Sequence, residues 1–152
     1  LDGTIQAEFF KTPYRPGMTG GEFYGAMTRC LSLHGFRARA IYDRFFFGEL
    51  IYGPIIRKEC ILDEVMIAVI LKELIRTQTV VVYCRPPAQQ IFNKLGPDQM
   101  EGVRENIGRL VRAYDYWFAV LPMTGIRVIR YDWTLETGYQ SLKREFKEIG
   151  GW

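Results

Sequence analysis

A chain of 152 residues is the size of one domain and long enough to bury a real core. With 48% hydrophobic and 24% charged residues, its composition excludes a disordered chain. The formal charge of +3 suits an anionic small molecule and falls short of the basic bias of a dedicated DNA-binding domain.

In chain order, β-type runs are expected at 7–12 (AEFFKT), 36–43 (FRARAIYD), 78–84 (QTVVVYC) and 125–131 (GIRVIRY). Helical spacing fills 21–34, 60–77, 100–120 and 135–149. Strands alternating with helices of this length predict an α/β fold with a parallel sheet. Val80, Val81 and Val82 are continuously apolar, as in a strand covered on both faces. The stretch 62–75 is apolar almost all round and reads as a core helix. In 100–120, Val103, Ile107, Leu110 and Val111 would face inward, with Arg104, Glu105, Arg109 and Arg112 toward water. No repeat, low-complexity tract or linker divides the sequence, so residues 1–152 read as a single domain.

Three widely spaced cysteines (Cys30, Cys60, Cys84) without a CxxC pair argue against a disulfide framework or a structural zinc site. Cys84, ending a Val-rich run, reads as a buried free thiol. No apolar stretch approaches the ~20 residues needed to span a bilayer. The N-terminus has no secretory pattern. A reducing, cytoplasmic setting without membrane association is expected.

The N-terminal sequence "LDGTIQAEFFKT" poses a problem of length. Residues 1–4 read as a strand end turning through Gly3, yet only Ile5 and Gln6 separate them from the next strand. Adjacent parallel strands need a crossover of roughly a dozen residues or more. Either residues 1–4 are not a strand, or a segment belonging between Thr4 and Ala7 is absent from this sequence.

Five places together carry a resemblance. They are Leu1-Asp2-Gly3-Thr4; Thr12-Pro13-Tyr14-Arg15-Pro16-Gly17; Asp43-Arg44 with following aromatics and Tyr52; "VVVYCRPP" from Val80 to Pro87; and Arg130-Tyr131-Asp132-Trp133. In their order and strand-end placement they resemble P-loop kinases of the thymidylate kinase and deoxynucleoside kinase type, most similar to the divergent versions found in phages. The resemblance implies a three-layer parallel sheet flanked by helices. It also implies transfer of the ATP γ-phosphoryl, with Mg²⁺, to a deoxynucleoside monophosphate such as dTMP, in the cytoplasm of a host cell if phage-encoded. The sequence departs from the family at one point: no G-x-x-x-x-G-K-[ST] phosphate loop occurs in it.

On this resemblance, Asp2, Gly3 and Thr4 stand where the chain leads into the phosphate loop, and Asp132 and Trp133 where adenine is contacted. Asp43 is the candidate for a Mg²⁺-bound water or the acceptor, and Arg44 for phosphate oxygens held bidentately. A surface ion pair would give the same dipeptide. Arg15 is the candidate for the acceptor's monophosphate, against a plain turn arginine; Lys11 is a weaker one. Phe45 is the candidate base-stacking ring, with core packing expected for at least two of Phe45, Phe46 and Phe47. Phe23 and Tyr24 are alternative stacking partners.

Tyr52 would wall a base or sugar pocket. Glu49 would assist the metal or sugar, or sit on a solvated helix face. Arg57 would reach an acceptor phosphate or pair with Glu59. Residues 93–106 have the Gly, Pro and charge content of a mobile lid, with Arg104 its phosphate-contacting residue and Asp98 a helix cap. His34, beside Gly35, reads as part of a helix C-terminus.

Three readings stay open: a monophosphate kinase, a deoxynucleoside kinase acting on a 5′-hydroxyl, and a non-catalytic nucleotide-binding protein. Nucleotides are the expected partners, with no stable nucleic acid; a homodimer is left open.

Overall fold

The computed structural model describes residues 7–11, 14–34, 39–96 and 100–148. It is mixed α/β, with helices and short parallel strands in two small sheets. The chain divides into two compact units, Leu1–Gln78 and Thr79–Trp152.

In the first unit, strand β1 (Ala7–Lys11) pairs in parallel with β2 (Arg39–Asp43), from Ala7 opposite Arg39 to Lys11 opposite Asp43. Side chains alternate across a strand, so Phe10 and Tyr42 share one face and stack at 5.4 Å, while Phe9 and Ile41 share the other and are exposed. Helix α1 (Gly20–His34) crosses between the strands. It begins with a capping box: Glu22 donates its backbone N–H to Thr19 Oγ1, and Thr19 donates its own N–H and its hydroxyl to Glu22 Oε2, both at 2.8 Å. Phe23, Met27 and Leu31, at helical spacing, are its buried face.

The sequence after β2 carries Tyr52-Gly53-Pro54, a turn-like tripeptide. There α2 (Phe47–Tyr52) runs directly into a π-helical turn, Gly53–Arg57. Pro54 is tolerated there because it sits at the first positions of the turn, where a missing N–H costs least. The winding ends at Lys58, which is left-handed (φ 64°). Helix α3 (Glu64–Arg76) starts at Asp63, whose side chain accepts the Met66 N–H at 2.8 Å. Its apolar circumference is not all core: Ile70 and Leu74 are buried, whereas Val65 and Ile75 are exposed. Helix α1 is the element it packs against in this unit, so only the contacting stripe is covered.

In the second unit, β3 (Val80–Cys84) pairs in parallel with β4 (Arg127–Tyr131), Val80 opposite Arg127 through Cys84 opposite Tyr131. Val80, Val81 and Val82 are half-buried rather than enclosed on both faces, and Cys84 is exposed, not buried, because it stands at the strand's end. A short helix, α4 (Ala88–Asn93), follows Pro86-Pro87.

Helix α5 (Val103–Val120) keeps the expected faces. Val103, Leu110 and Val111 are buried, Ile107 is half-buried, and Arg104, Glu105, Arg109 and Arg112 are exposed. A 3-10 turn, Leu121–Thr124, leads into β4, and α6 (Gly138–Glu148) closes the unit against that strand. No helix among the described residues is long and apolar enough to cross a membrane.

Candidate functional site

Parallel pairing brings Lys11 and Asp43 side by side at the carboxyl ends of β1 and β2. In open parallel sheets that end is where ligands gather. Both residues are exposed, as is Arg44. Immediately beyond Asp43 the backbone takes two left-handed steps in a row, at Arg44 (φ 62°) and Phe45 (φ 42°), and the Phe45 N–H donates to the Asp43 carbonyl at 2.7 Å. Neither is glycine, so each step carries strain of about 1–3 kcal/mol that the surrounding packing must hold. The rings of Phe45, Phe46 and Phe47 do this: all three are buried, with Phe45 against Tyr42 at 4.9 Å and Phe46 against Phe47 at 4.3 Å. Core packing thus accounts for all three phenylalanines. Phe23 is fully enclosed and presents no face for stacking; Tyr24 and Tyr52 are half-buried.

Glu49 is not on a solvated face. It is only 3% exposed, its Oε2 meets Arg57 Nη2 at 2.5 Å, and its Oε1 accepts the Ile61 N–H at 3.0 Å. Arg57 therefore pairs with Glu49, not Glu59, and its guanidinium lies 4.5 Å over the Tyr14 ring. Burial of one partner and the extra N–H donor make this a structural pair. It anchors the residue just before the Arg15-Pro16-Gly17-Met18 turn.

That turn is closed by the Met18 N–H donating to the Arg15 carbonyl at 3.1 Å. Pro16 stands second and Gly17, at φ 82°, third, as a type II turn requires. Arg15 itself is exposed beside a cleft of about 490 Å³.

In the second unit Asp132 is committed to its own loop. Its Oδ1 accepts the Thr134 hydroxyl at 2.6 Å and the Thr134 N–H at 2.9 Å, which hold its carboxyl below the usual range. Trp133 is exposed, with Lys94 Nζ 5.7 Å from its ring centre. Arg104 donates to the Leu95 carbonyl at 3.1 Å and lies 5.2 Å over Phe92, so it fastens the start of α5 to the segment after α4. Of the lid expected at 93–106, Asn93 ends α4 and Val103 begins α5. Asp98 lies outside the described residues, as do Asp2, Gly3, Thr4, Thr12, Pro13 and Gly35.

One polar cluster escaped sequence reasoning. Tyr83 donates its hydroxyl to Asp115 Oδ1 at 2.8 Å, while Arg85 grips the same carboxylate through Nε (2.8 Å) and Nη2 (3.0 Å). The Arg85 bonds hold the Asp115 carboxyl below its ordinary value; burial, with the Asp115 bond, pushes the Tyr83 phenol up. The available signal was spacing, since Asp115 lies on the same helical stripe as the buried Val111 and Phe118.

Mg²⁺ is commonly held by one or two carboxylates plus phosphate oxygens and waters. Asp43, exposed at the strand end, fits as one such ligand; among the described residues no cluster of three or more His, Cys, Asp or Glu is poised for a metal. ATP phosphates find no comparable fit there. The sequence contains no phosphate-loop motif, and the N-terminus of α1 is already occupied by Glu22. Compared with family models, curated proteins and solved structures, the chain matches none.

Proposed function

We propose that the chain is a nucleotide kinase-like protein whose first unit receives a deoxynucleoside monophosphate, dTMP being the first acceptor to assay. The observation carrying this is the strained Arg44–Phe45 step directly after Asp43, with Lys11 in register beside it. Strain held at a strand's carboxyl end is the kind of backbone cost that functional sites retain. Asp43 would bind Mg²⁺ or orient the acceptor. Lys11 and Arg44 would hold phosphate charge, which is most of what phosphoryl transfer asks of a protein. A single three-layer sheet and a cytoplasmic setting go with this reading, and ATP as donor enters it from the resemblance, not from the described residues.

The absence of a phosphate-loop motif favours a second reading, a nucleotide-binding protein without catalysis. One experiment separates them: ADP formation across a panel of deoxynucleosides and their monophosphates, with equilibrium binding measured in parallel. ADP with a monophosphate supports the kinase, and ADP with a nucleoside alone moves the acceptor to a 5′-hydroxyl. Binding without ADP leaves the non-catalytic reading. Neither binding nor turnover overturns the proposal.

A further inference from the structure

The cleft beside α1 brings together residues that no motif connects. One wall is the Arg15–Met18 turn, and the other is the stripe Glu22, Ala26 and Arg29, spaced four and then three residues along one helix face. Its volume of about 490 Å³ is within the range of small-ligand sites.

The charges in it are unequal in availability. Arg57, Arg76 and Arg85 are each paired with a carboxylate. Among the described residues, neither Arg15 nor Arg29 lies within ion-pair distance of one. Glu22, the one carboxylate lining the cleft among the described residues, accepts the N–H and the hydroxyl of Thr19 through Oε2. Among the described residues, two exposed guanidinium groups thus line the cleft against one carboxylate, which caps α1, keeps its charge and attracts Arg15 from beyond ion-pair distance.

We propose that this cleft is a phosphomonoester site with Arg15 and Arg29 as its two guanidinium donors. A guanidinium presents a planar fork of N–H groups that matches pairs of phosphate oxygens, and a terminal phosphate has three such oxygens to share between two forks. The wall carrying Arg15 is rigid by construction: Pro16 and Gly17 fix the turn, and Tyr14, just before it, is held under Arg57. The backbone that carries Arg15 is therefore fixed before binding, and only its side chain is left to order. That the phosphate belongs to a nucleotide rests on the function proposed above; the phosphate chemistry of the cleft does not.

The test is titration of the whole chain with inorganic phosphate, dTMP and thymidine, followed by amide NMR shifts at Gly17 and Ala26, in wild type and in Arg29→Ala and Arg29→Lys. Phosphate and dTMP are expected to saturate the wild type. Arg29→Ala should weaken both about tenfold or more, the effect of losing a charged hydrogen bond. Arg29→Lys should retain part of the affinity, and thymidine binding should not respond to either change. The proposal is overturned if wild type does not bind phosphate, if Arg29→Ala binds dTMP as well as wild type, or if thymidine is weakened equally. Phosphate binding at Gly17 and Ala26 without ADP from any acceptor would leave the cleft standing and remove the kinase. ADP formation at an unchanged KM for the monophosphate in Arg29→Ala would do the reverse.

Discussion

Arg57 Nη2 stands 2.5 Å from Oε2 of Glu49, a carboxylate that is only 3% exposed, and the same guanidinium covers the Tyr14 ring. Through this pair the α2 helix, the π turn and the segment before Arg15 are fastened together. Removing either partner leaves a charge without its counterpart, in Glu49's case a buried one. Arg57→Ala is expected to destabilise the protein by about 3 kcal/mol, the low end for breaking a buried pair because Arg57 keeps some solvent. Urea unfolding of Arg57→Ala, Glu49→Gln and the double variant measures the coupling. Losses below about 1 kcal/mol in both single variants would mean that the pair carries little.

Gly20 is where α1 meets the loop before α3. A Cβ there would stand 1.9 Å from the Ile61 carbonyl oxygen, whereas at Gly21 it would meet nothing within 4 Å. Gly20→Ala should therefore lower stability by about 1–3 kcal/mol, despite alanine's better helix propensity. Gly21→Ala should be neutral or stabilising by up to about 1 kcal/mol. Thermal melts should place Gly20→Ala below wild type and Gly21→Ala at or above it.

Arg44 separates stability from function. Arg44→Gly relieves a left-handed backbone that costs a non-glycine residue about 1–2 kcal/mol, offset by roughly 0.5–1 kcal/mol of glycine's chain entropy. Its melting temperature should hold or rise. Under the proposed function both Arg44→Gly and Arg44→Ala should lose turnover by orders of magnitude while remaining folded. Normal activity in Arg44→Ala would remove Arg44 from the site.

The capping box makes α1 sensitive to acid. Hydrogen bonds from Thr19 hold the Glu22 carboxyl below its ordinary value of 4.5 in the folded chain. A lowered folded value contributes stability that is complete above the unfolded value and lost as pH falls through the folded one. Glu22→Gln should therefore melt lower than wild type at pH 7, and the gap should close below about pH 4.5. A gap that stays constant down to pH 3 would contradict this.

The Tyr83–Asp115–Arg85 cluster has the opposite exposure to base. The fold raises the Tyr83 phenol above its ordinary value of 10. Its contribution is complete below that value and lost as pH rises toward the folded one. Tyr83→Phe should cost about 1.5 kcal/mol at pH 7, the worth of a hydrogen bond to a charged group. It should also flatten the fall in stability above pH 10, measured by denaturation from pH 8 to 11.

Most of the elements, and the faces of α5, were legible in the residues alone. Period-two and helical spacing located all four described strands and four of the helices, because backbone geometry sets those periods within a few residues of chain. Terminal residues shifted where left-handed Gln78 and Gly125 take the chain into β3 and β4. Charged against apolar spacing was enough to orient α5, since its faces differ in solvation along a single helix.

Tertiary structure alone decided which distant groups meet. Glu49 and Arg57 are eight residues apart across a change from α to π winding that no periodicity announces, so the nearer Glu59 looked the natural partner. Arg29 enters the cleft only because the Pro16-Gly17 turn folds the loop back along α1. Asp115 finds Arg85 thirty residues away because α5 packs beside the end of β3. Periodicity is local, whereas a buried charge or a two-arginine cleft depends on how chain segments return to one another, and that return is decided by packing.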